Sequence, residues 1–253
     1  MLLQGKNAVV YGGGGSIGGA AARAFAAEGA RVFLAGRTER TLGATATDIR
    51  ADGGRAEVAV LDAQDPEAVD AHADMVVGEA GGLDISFNAI THGDVQGTPM
   101  VEMELEDYLA PVVNGVRSLF LTSRAAARHM KRQGSGVIMI FGGSGDPVRN
   151  YSLGGLQTGF EAMESMRRQL SMELGEYGIR VVTMRSGGVP EAISDDFEAK
   201  DAIREGIVGA TMLGRAATLR DVGDTAAFIA SDKARTMTAA TVNISAGSLI
   251  DHM

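Results

Sequence analysis

The stretch Tyr11-Gly-Gly-Gly-Gly-Ser-Ile-Gly-Gly19 follows an apolar run, Ala8–Tyr11, and leads into a segment rich in alanine. Glycine lets the backbone approach a phosphate closely, and the N-terminus of a helix offers free N–H donors to an anion. A glycine cluster by itself could be only a tight turn. Its place between the first apolar run and the first helical segment predicts a dinucleotide-binding loop. The candidate cofactor-binding residues in it are Gly12, Gly14, Ser16, Ile17 and Gly18.

Apolar runs recur along the chain, with helical segments between them. After the first, they are Arg31–Ala35, Glu57–Leu61, Leu83–Phe87, Val137–Phe141, Arg180–Met184 and Thr241–Ile244. Near-continuous apolar runs are typical of parallel strands that are covered on both faces. The alternation predicts a single α/β domain over residues 1–253, with a doubly wound, Rossmann-type, parallel seven-stranded sheet.

Two helix starts and one possible lid can be predicted from local sequence. Ser16 is a candidate cap for a helix over Ile17–Glu28, and Asp65-Pro66-Glu67 places a cap, a first-turn proline and an acid before another helix. A polar segment, Glu191–Glu205, follows the sixth apolar run. It is either a solvated helical face or part of a mobile substrate lid at about residues 190–213.

The composition limits the classes of partner. The 32 acidic and 23 basic side chains give a net charge of −9, which disfavours sequence-independent binding of nucleic acid. The absence of cysteine excludes disulfides and thiolate catalysis, and the four histidines lack the spacing of a helical metal site. No apolar run approaches the ~20 residues of a membrane span, and no signal segment is evident. We therefore expect a cytoplasmic protein with no metal and no nucleic-acid or membrane partner.

The end of the second apolar run bears on the choice of cofactor. It continues as Ala35-Gly-Arg-Thr-Glu-Arg40, without an acid directly after the strand to hold a ribose 2′-hydroxyl. Arg37, with Arg40 nearby, offers a guanidinium to a 2′-phosphate instead, although a solvated arginine at a helix start would look the same. The sequence therefore favours NADP(H). Asp62 and Asn88 end the next two strands, where ligands bind in such sheets, although each could be only a turn former.

Motifs along essentially the whole chain resemble those of the short-chain dehydrogenase/reductase family. Gly12-x-x-x-Ser16-Ile17-Gly18 is similar to the family's GxxxGIG loop, with Ser16 in place of the middle glycine. Further similar segments are Leu61-Asp62-Ala63, Asn88-Ala-Ile-Thr91, Val113-Asn114-Gly115-Val116, Gly178–Val182, Ser186-Gly187, Phe228–Asp232 and Val242–Gly247. The resemblance implies a nicotinamide-dependent enzyme with a small-molecule substrate, and it adds Asp62, Ala63, Asn88 and Gly187 to the cofactor site.

At the family's catalytic positions, this chain has side chains that differ from the family's Ser, Tyr and Lys. The family uses a Ser after the fifth strand to hold the carbonyl oxygen, and a Tyr-x-x-x-Lys in the next helix to transfer the proton and bind ribose. Here those positions are Gly143, Leu156 and Phe160. Asn114 matches the family's catalytic Asn, although it could instead serve helix carbonyls freed by Pro111. A general acid typically contributes 10²–10⁴-fold, so we expect slow ketone reduction unless another group substitutes.

Other side chains could replace the proton donor. Tyr151 and Ser144 are the first candidates, and with Asn114 they form the predicted catalytic set. Further candidates, each also interpretable as a solvated loop residue, are His92, Asp94, Asp146 and Arg149, while Tyr108 is expected on a helix surface. We predict an NADP(H)-dependent oxidoreductase with an atypical proton-transfer site for a small apolar carbonyl or enone. The alternatives are a non-redox reaction on the same fold and a non-catalytic nucleotide-binding protein.

The resemblance also implies a homo-oligomer, specifically a tetramer. In the family, the helices that correspond to those carrying Asn114 and Phe160 pair across a two-fold axis. Apolar side chains that could form this interface, or could belong to the core, are Leu119, Met130, Met166 and Leu170.

Overall fold

The computed structural model describes residues 1–147, 151–194 and 199–250. Within them, seven strands form one parallel sheet in the order β3-β2-β1-β4-β5-β6-β7. The strands are β1 Asn7–Tyr11, β2 Arg31–Gly36, β3 Arg55–Val60, β4 Ile85–Asn88, β5 Gly136–Gly142, β6 Ile179–Arg185 and β7 Ala240–Asn243. Each predicted apolar run overlaps one strand. The prediction of a doubly wound, Rossmann-type, single-domain fold is confirmed.

Helices cover both faces of this sheet. They are α1 Ser16–Ala27, α2 Glu39–Ala51, α3 Pro66–Ala80, α4 Leu105–Gln133, α5 Leu156–Leu174, α6 Lys200–Gly209 and α7 Leu219–Ala230. Val10 of β1 packs into a core with α1, α2 and α7, whereas its neighbour Val9 packs into a core with α3, α4 and α5. Because successive side chains point to opposite faces, a strand buried on both faces needs an unbroken apolar run. In the described part of the chain, no helix is long and apolar enough to cross a membrane.

One of the two predicted helix caps is confirmed. The Asp65 carboxylate accepts hydrogen bonds from the N–H groups of Glu67 at 2.9 Å and Ala68 at 3.3 Å. The predicted Ser16 cap is wrong, because Gly15 occupies the N-cap position and Ser16 is already the first helical residue. The glycine turn accounts for the difference: the Gly15 N–H donates to the Gly12 carbonyl at 3.0 Å, so the backbone itself leads into the helix.

Burial decides between interface and core for two of the four apolar candidates. Leu119 and Met130 are fully buried in the core beneath α4, so they cannot contribute to a surface. Met166 and Leu170 of α5 are partly buried against the same core. The exposed apolar side chains of α4 are Leu105, Leu109, Val113 and Phe120. Their spacing of four and seven residues places them along one side of the helix.

Candidate functional site

A cavity of about 590 Å³ lies where the β1 and β4 strands end side by side. The strand order reverses at this point, and ligands of open α/β sheets bind at such switch points, outside the carboxyl ends of the strands. The predicted cofactor residues that line the cavity are Gly12, Gly14, Arg37, Asp62 and Ala63, and Asn114 joins them from the predicted catalytic set. These six residues come from four separate segments of the chain, and the topology brings them together.

The glycine turn packs so tightly against its neighbours that two of its positions have no room for a side chain. Gly12 has a φ of +82°, and a β-carbon on it would overlap the carbonyl oxygen of Ala89. A β-carbon on Gly18 would overlap the Gly12 carbonyl, so Gly18 lets α1 pack directly on the turn. Ser16 and Ile17 lie in the first turn of α1 and are not among the lining residues. Bare backbone against a helix N-terminus is the arrangement that suits a pyrophosphate.

The two charged residues of the cavity lie in turns that follow neighbouring strands. Arg37 comes directly after β2 and is exposed, and within the described residues it forms no ion pair. Asp62 follows β3, and its carboxylate accepts a hydrogen bond from the Gln64 N–H at 2.9 Å. The Leu61 N–H donates to the Gly36 carbonyl at 2.9 Å, which holds the two turns together. An unpaired guanidinium in the cavity is suited to bind a phosphate.

Sequence reasoning missed several polar residues of the cavity, among them Gln64 and Thr41. Gln64 lines it beside Ala63, and the Gln64 Nε2 donates to the Asn114 carbonyl at 3.0 Å. Thr41, in the first turn of α2, lies against Gly14, where a β-carbon would overlap its hydroxyl. The only sequence signal for Gln64 was its place next to the Asp62-Ala63 pair.

Two asparagines fix the loop after β4. Asn88 is buried, donates from Nδ2 to Thr122 Oγ1 at 3.1 Å, and accepts from the Ile90 N–H at 3.3 Å. Asn114 donates from Nδ2 to the His92 carbonyl at 3.0 Å. Its amide therefore binds the loop after β4 and not the helix carbonyls freed by Pro111. Burial lowers the pKa of the His92 imidazole, and nearby Asp94 opposes that shift.

Gly143 and Phe160 are complementary in size. A β-carbon on Gly143 would lie 2.9 Å from Phe160 Cδ2 and would overlap Cε2. The Phe160 ring also meets the His92 imidazole edge to face, with the ring centroids 5.7 Å apart. Leu156 is buried at the first position of α5. The aromatic ring of Phe160 thus fills the space that a side chain at position 143 would need.

The other predicted catalytic residues lie outside the cavity lining. Ser144 Oγ donates to the Asp146 carboxylate at 2.7 Å and accepts from the Asp146 N–H at 3.0 Å. Tyr151 is 42% exposed. Gly187, which was predicted for the cofactor site, also lies outside the lining, in the turn after β6, where Ser248 packs against it. Arg149, a further candidate, lies outside the described residues. The structure therefore brings only Asn114 of the catalytic set to the cavity wall.

The described part of the predicted lid includes α6, which is held by few contacts. None of its residues is buried, and Ile207 packs on Gly188, where a β-carbon would lie 2.8 Å from Ile207 Cδ1. Asp195, Asp196 and Glu198 of the same predicted lid lie outside the described residues. The lid stays a prediction.

Comparison with known proteins adds sequence evidence to this geometry. A family model described as enoyl-(acyl carrier protein) reductase matches residues 13–248. The chain is 31% identical over 258 residues to the short-chain reductase protein NovJ of Streptomyces niveus, covering 97% of this chain and 95% of that protein. It is 30% identical over 259 residues to an L-rhamnose 1-dehydrogenase (NAD(P)(+)) of Azotobacter vinelandii, covering 99% of each.

A solved structure with the same fold was obtained as a complex with a dinucleotide. It is a short-chain dehydrogenase from Burkholderia cenocepacia in complex with NADP, which has a TM-score of 0.85 and 27% identity to this chain. The alignment covers 98% of this chain and 99% of that one. Together with the glycine turn at the switch point, these matches show that the chain belongs to the short-chain dehydrogenase/reductase family of nicotinamide-dependent oxidoreductases.

Proposed function

We propose that this protein is an NADP(H)-dependent oxidoreductase with an atypical proton-transfer site, and that it acts on a small apolar carbonyl or enone. The observation that supports the cofactor choice is that Arg37 and the glycine turn line one cavity. In this proposal the turn and the N-terminus of α1 hold the pyrophosphate, Arg37 holds the 2′-phosphate, and Asp62 and Ala63 border the adenine. A bound NADPH supplies a hydride to an electrophilic carbon of the substrate.

Arg37→Ala should weaken NADP binding by about 10- to 150-fold and leave NAD binding almost unchanged. A charge-assisted hydrogen bond contributes roughly 1.5–3 kcal/mol, and NAD has no 2′-phosphate to receive it. Isothermal titration calorimetry of both cofactors measures the effect. Arg40→Ala is the matched control, because Arg40 is exposed three residues further on and does not line the cavity. Equal affinities for NAD and NADP in wild type and in Arg37→Ala would refute the proposed preference.

The apolar substrate class rests on the apolar side chains at the positions that the resemblance assigns to catalysis. Leu156 and Met163 of α5 are buried, and the Phe160 ring fills the space beside Gly143, so these positions offer no proton donor. Apolar surroundings favour an apolar substrate. The same apolar positions favour a second candidate function, a non-redox reaction in which the pocket positions the substrate while the dinucleotide is not consumed.

Tyr151→Phe should lower the rate of hydride transfer by about 100-fold if the Tyr151 phenol is the proton donor. Tyr151 is the first residue to test, because it lies five residues before position 156 and is 42% exposed, so it is not packed in the core. Single-turnover oxidation of NADPH against a panel of ketones, enones and quinones provides the measurement. Tyr108→Phe is the control, since the Tyr108 hydroxyl is already bonded to Thr158 Oγ1 at 2.9 Å.

The outcome of this experiment separates the candidate functions. Unchanged rates in Tyr151→Phe would eliminate the phenol as donor while leaving the redox function in place. Wild-type protein that binds NADPH but oxidises it with no substrate of the panel would favour the non-redox reaction.

We also propose a homotetramer. The exposed side of α4 with Leu105, Leu109, Val113 and Phe120 is the apolar surface that a second copy would cover. Light scattering of the purified protein measures the number of copies in the oligomer, and a monomer at micromolar concentration would contradict the proposal.

A further inference from the structure

The turn after β3 is tied to α4 at two points. Gln64 Nε2 donates to the Asn114 carbonyl at 3.0 Å, and Arg117 Nε donates to the Gln64 carbonyl at 2.9 Å. Asn114 and Arg117 are three residues apart, so the two hydrogen bonds join Gln64 to successive turns of α4. The Gln64 N–H is bonded to the Asp62 carboxylate at 2.9 Å. Gln64 is therefore fixed on the adenine side of the cavity as well as on the helix side.

Asn114 continues this connection to the next strand. Its Nδ2 donates to the His92 carbonyl at 3.0 Å and would lie 3.4 Å from a β-carbon on Gly93. Gln64, Gly93 and Asn114 all line the cavity. One wall of the cavity is thus a continuous chain of hydrogen bonds from the turn after β3, through α4, to the loop after β4.

The first turns of α4 have fewer hydrogen bonds of their own than an uninterrupted helix. Pro111 lies inside the helix and has no N–H, so the intrahelical bond to the Asp107 carbonyl is missing and the first turns are less constrained. The Gln64 amide binds the helix three residues after Pro111. An apolar side chain of the same length would remove that donor, and an asparagine would be one methylene too short to reach.

We propose that Gln64 is a positioning residue that holds Asn114 in its place on the cavity wall, where the family resemblance assigns Asn114 to the nicotinamide half of the cofactor. The proposal rests on the proposed dinucleotide function. Its consequence is specific: loss of the Gln64 amide should affect the part of the cofactor that Asn114 meets, and should spare the adenosine part, which the glycine turn and Arg37 hold.

The test uses Gln64→Met, with Gln169→Met as control because Gln169 is an exposed glutamine bonded to Glu173 on its own helix. By calorimetry, Gln64→Met should bind NADP about fivefold more weakly, the effect of one hydrogen bond, and should bind adenosine 2′,5′-bisphosphate within about twofold of wild type. In an Asn114→Ala background, Gln64→Met should add no further loss, since two residues that act through one group are not additive.

A second readout needs no cofactor. In the ligand-free protein, hydrogen exchange of the backbone amides at 114–118 should be about fivefold faster in Gln64→Met and unchanged in Gln169→Met. If Gln64→Met does not fold, Arg117→Met releases the other bond and should show the same pattern. Equal weakening of both ligands, or additive losses with Asn114→Ala, would overturn the proposal. If the wild-type protein binds neither NAD nor NADP, the proposed function fails. The positioning role would then be overturned separately by unchanged hydrogen exchange at residues 114–118 in Gln64→Met.

Discussion

Arg167→Met should lower the free energy of unfolding by about 3–5 kcal/mol, because it leaves a buried carboxylate without its partner. Arg167 and Glu164 lie one turn apart on α5, with side chains only 6% and 16% exposed. Arg167 Nε and Nη2 both lie 3.0 Å from Glu164 Oε2. Thr241 of β7 also donates to Glu164 Oε2, at 2.9 Å, so the pair ties α5 to the sheet.

Chemical denaturation of three variants measures this loss. Replacing both partners, as in Glu164→Leu/Arg167→Met, should recover most of the stability, since no buried charge remains. Arg220→Met should cost less than about 0.5 kcal/mol, because the Arg220–Asp224 pair is exposed to solvent. The interpretation fails if the double variant is as unstable as Arg167→Met, or if Arg167→Met loses no more than Arg220→Met.

The pH dependence of Arg167→Met gives an independent check. Burial alone would raise the pKa of Glu164, but hydrogen bonds and the Arg167 guanidinium hold that pKa below its usual value in the wild type. Without Arg167, the pKa of Glu164 in the folded protein should rise above its value in the unfolded chain. The penalty is then full at neutral pH and disappears as the pH falls towards about 4, where both states bind the proton. The stability gap to wild type should therefore narrow in acid.

This ion pair bears on the candidate site because of where it anchors α5. Thr241 pairs with Thr183 of β6, and Glu164 lies one turn after Phe160. The position of the Phe160 ring beside Gly143 thus depends on a helix that is bonded to the far edge of the sheet. A weakened anchor should loosen the contact between Phe160 and Gly143 before it disturbs the glycine turn.

The fold could be predicted because its signals are local or periodic. Strands buried on both faces need unbroken apolar runs, and seven such runs are visible in the sequence. The Asp65 cap was predicted for the same reason, since its partners lie two and three residues away. The Ser16 cap failed because the backbone of the glycine turn, and not a side chain, sets the start of α1.

The missed features depend on contacts between distant segments. Gln64 meets Asn114 across 50 residues of chain, and no spacing rule connects them. Leu119 and Met130 were candidates for an interface because the apolar periodicity of a helix does not say which partner covers it, and here the sheet does. The match between Gly143 and Phe160 is likewise a property of packed volume that a linear pattern does not show.

Gly143→Ser/Leu156→Tyr/Phe160→Lys should raise the rate of ketone reduction by NADPH about 10²–10⁴-fold above wild type, the usual contribution of a positioned general acid. The three substitutions install the family's Ser, Tyr and Lys at the positions that the resemblance assigns to them. Steady-state oxidation of NADPH with an apolar ketone measures the gain. The matched control is the triple variant Gly143→Ser/Leu156→Phe/Phe160→Lys, which differs from it by one hydroxyl group and should show no gain.

The substitutions have to be made together because of the contact between positions 143 and 160. Gly143→Ser alone should cost about 1–3 kcal/mol, since its β-carbon would lie 2.9 Å from Phe160 Cδ2 in a filled space. Phe160→Lys removes the ring and should recover that loss, so the pair should be strongly non-additive in a double-mutant cycle. Equal activity of the triple variant with Leu156→Tyr and its control with Leu156→Phe would show that the assignment of position 156 is wrong. An additive cycle would show that Phe160 does not fill the space beside Gly143, and the interdependence of the two positions would then have no physical basis.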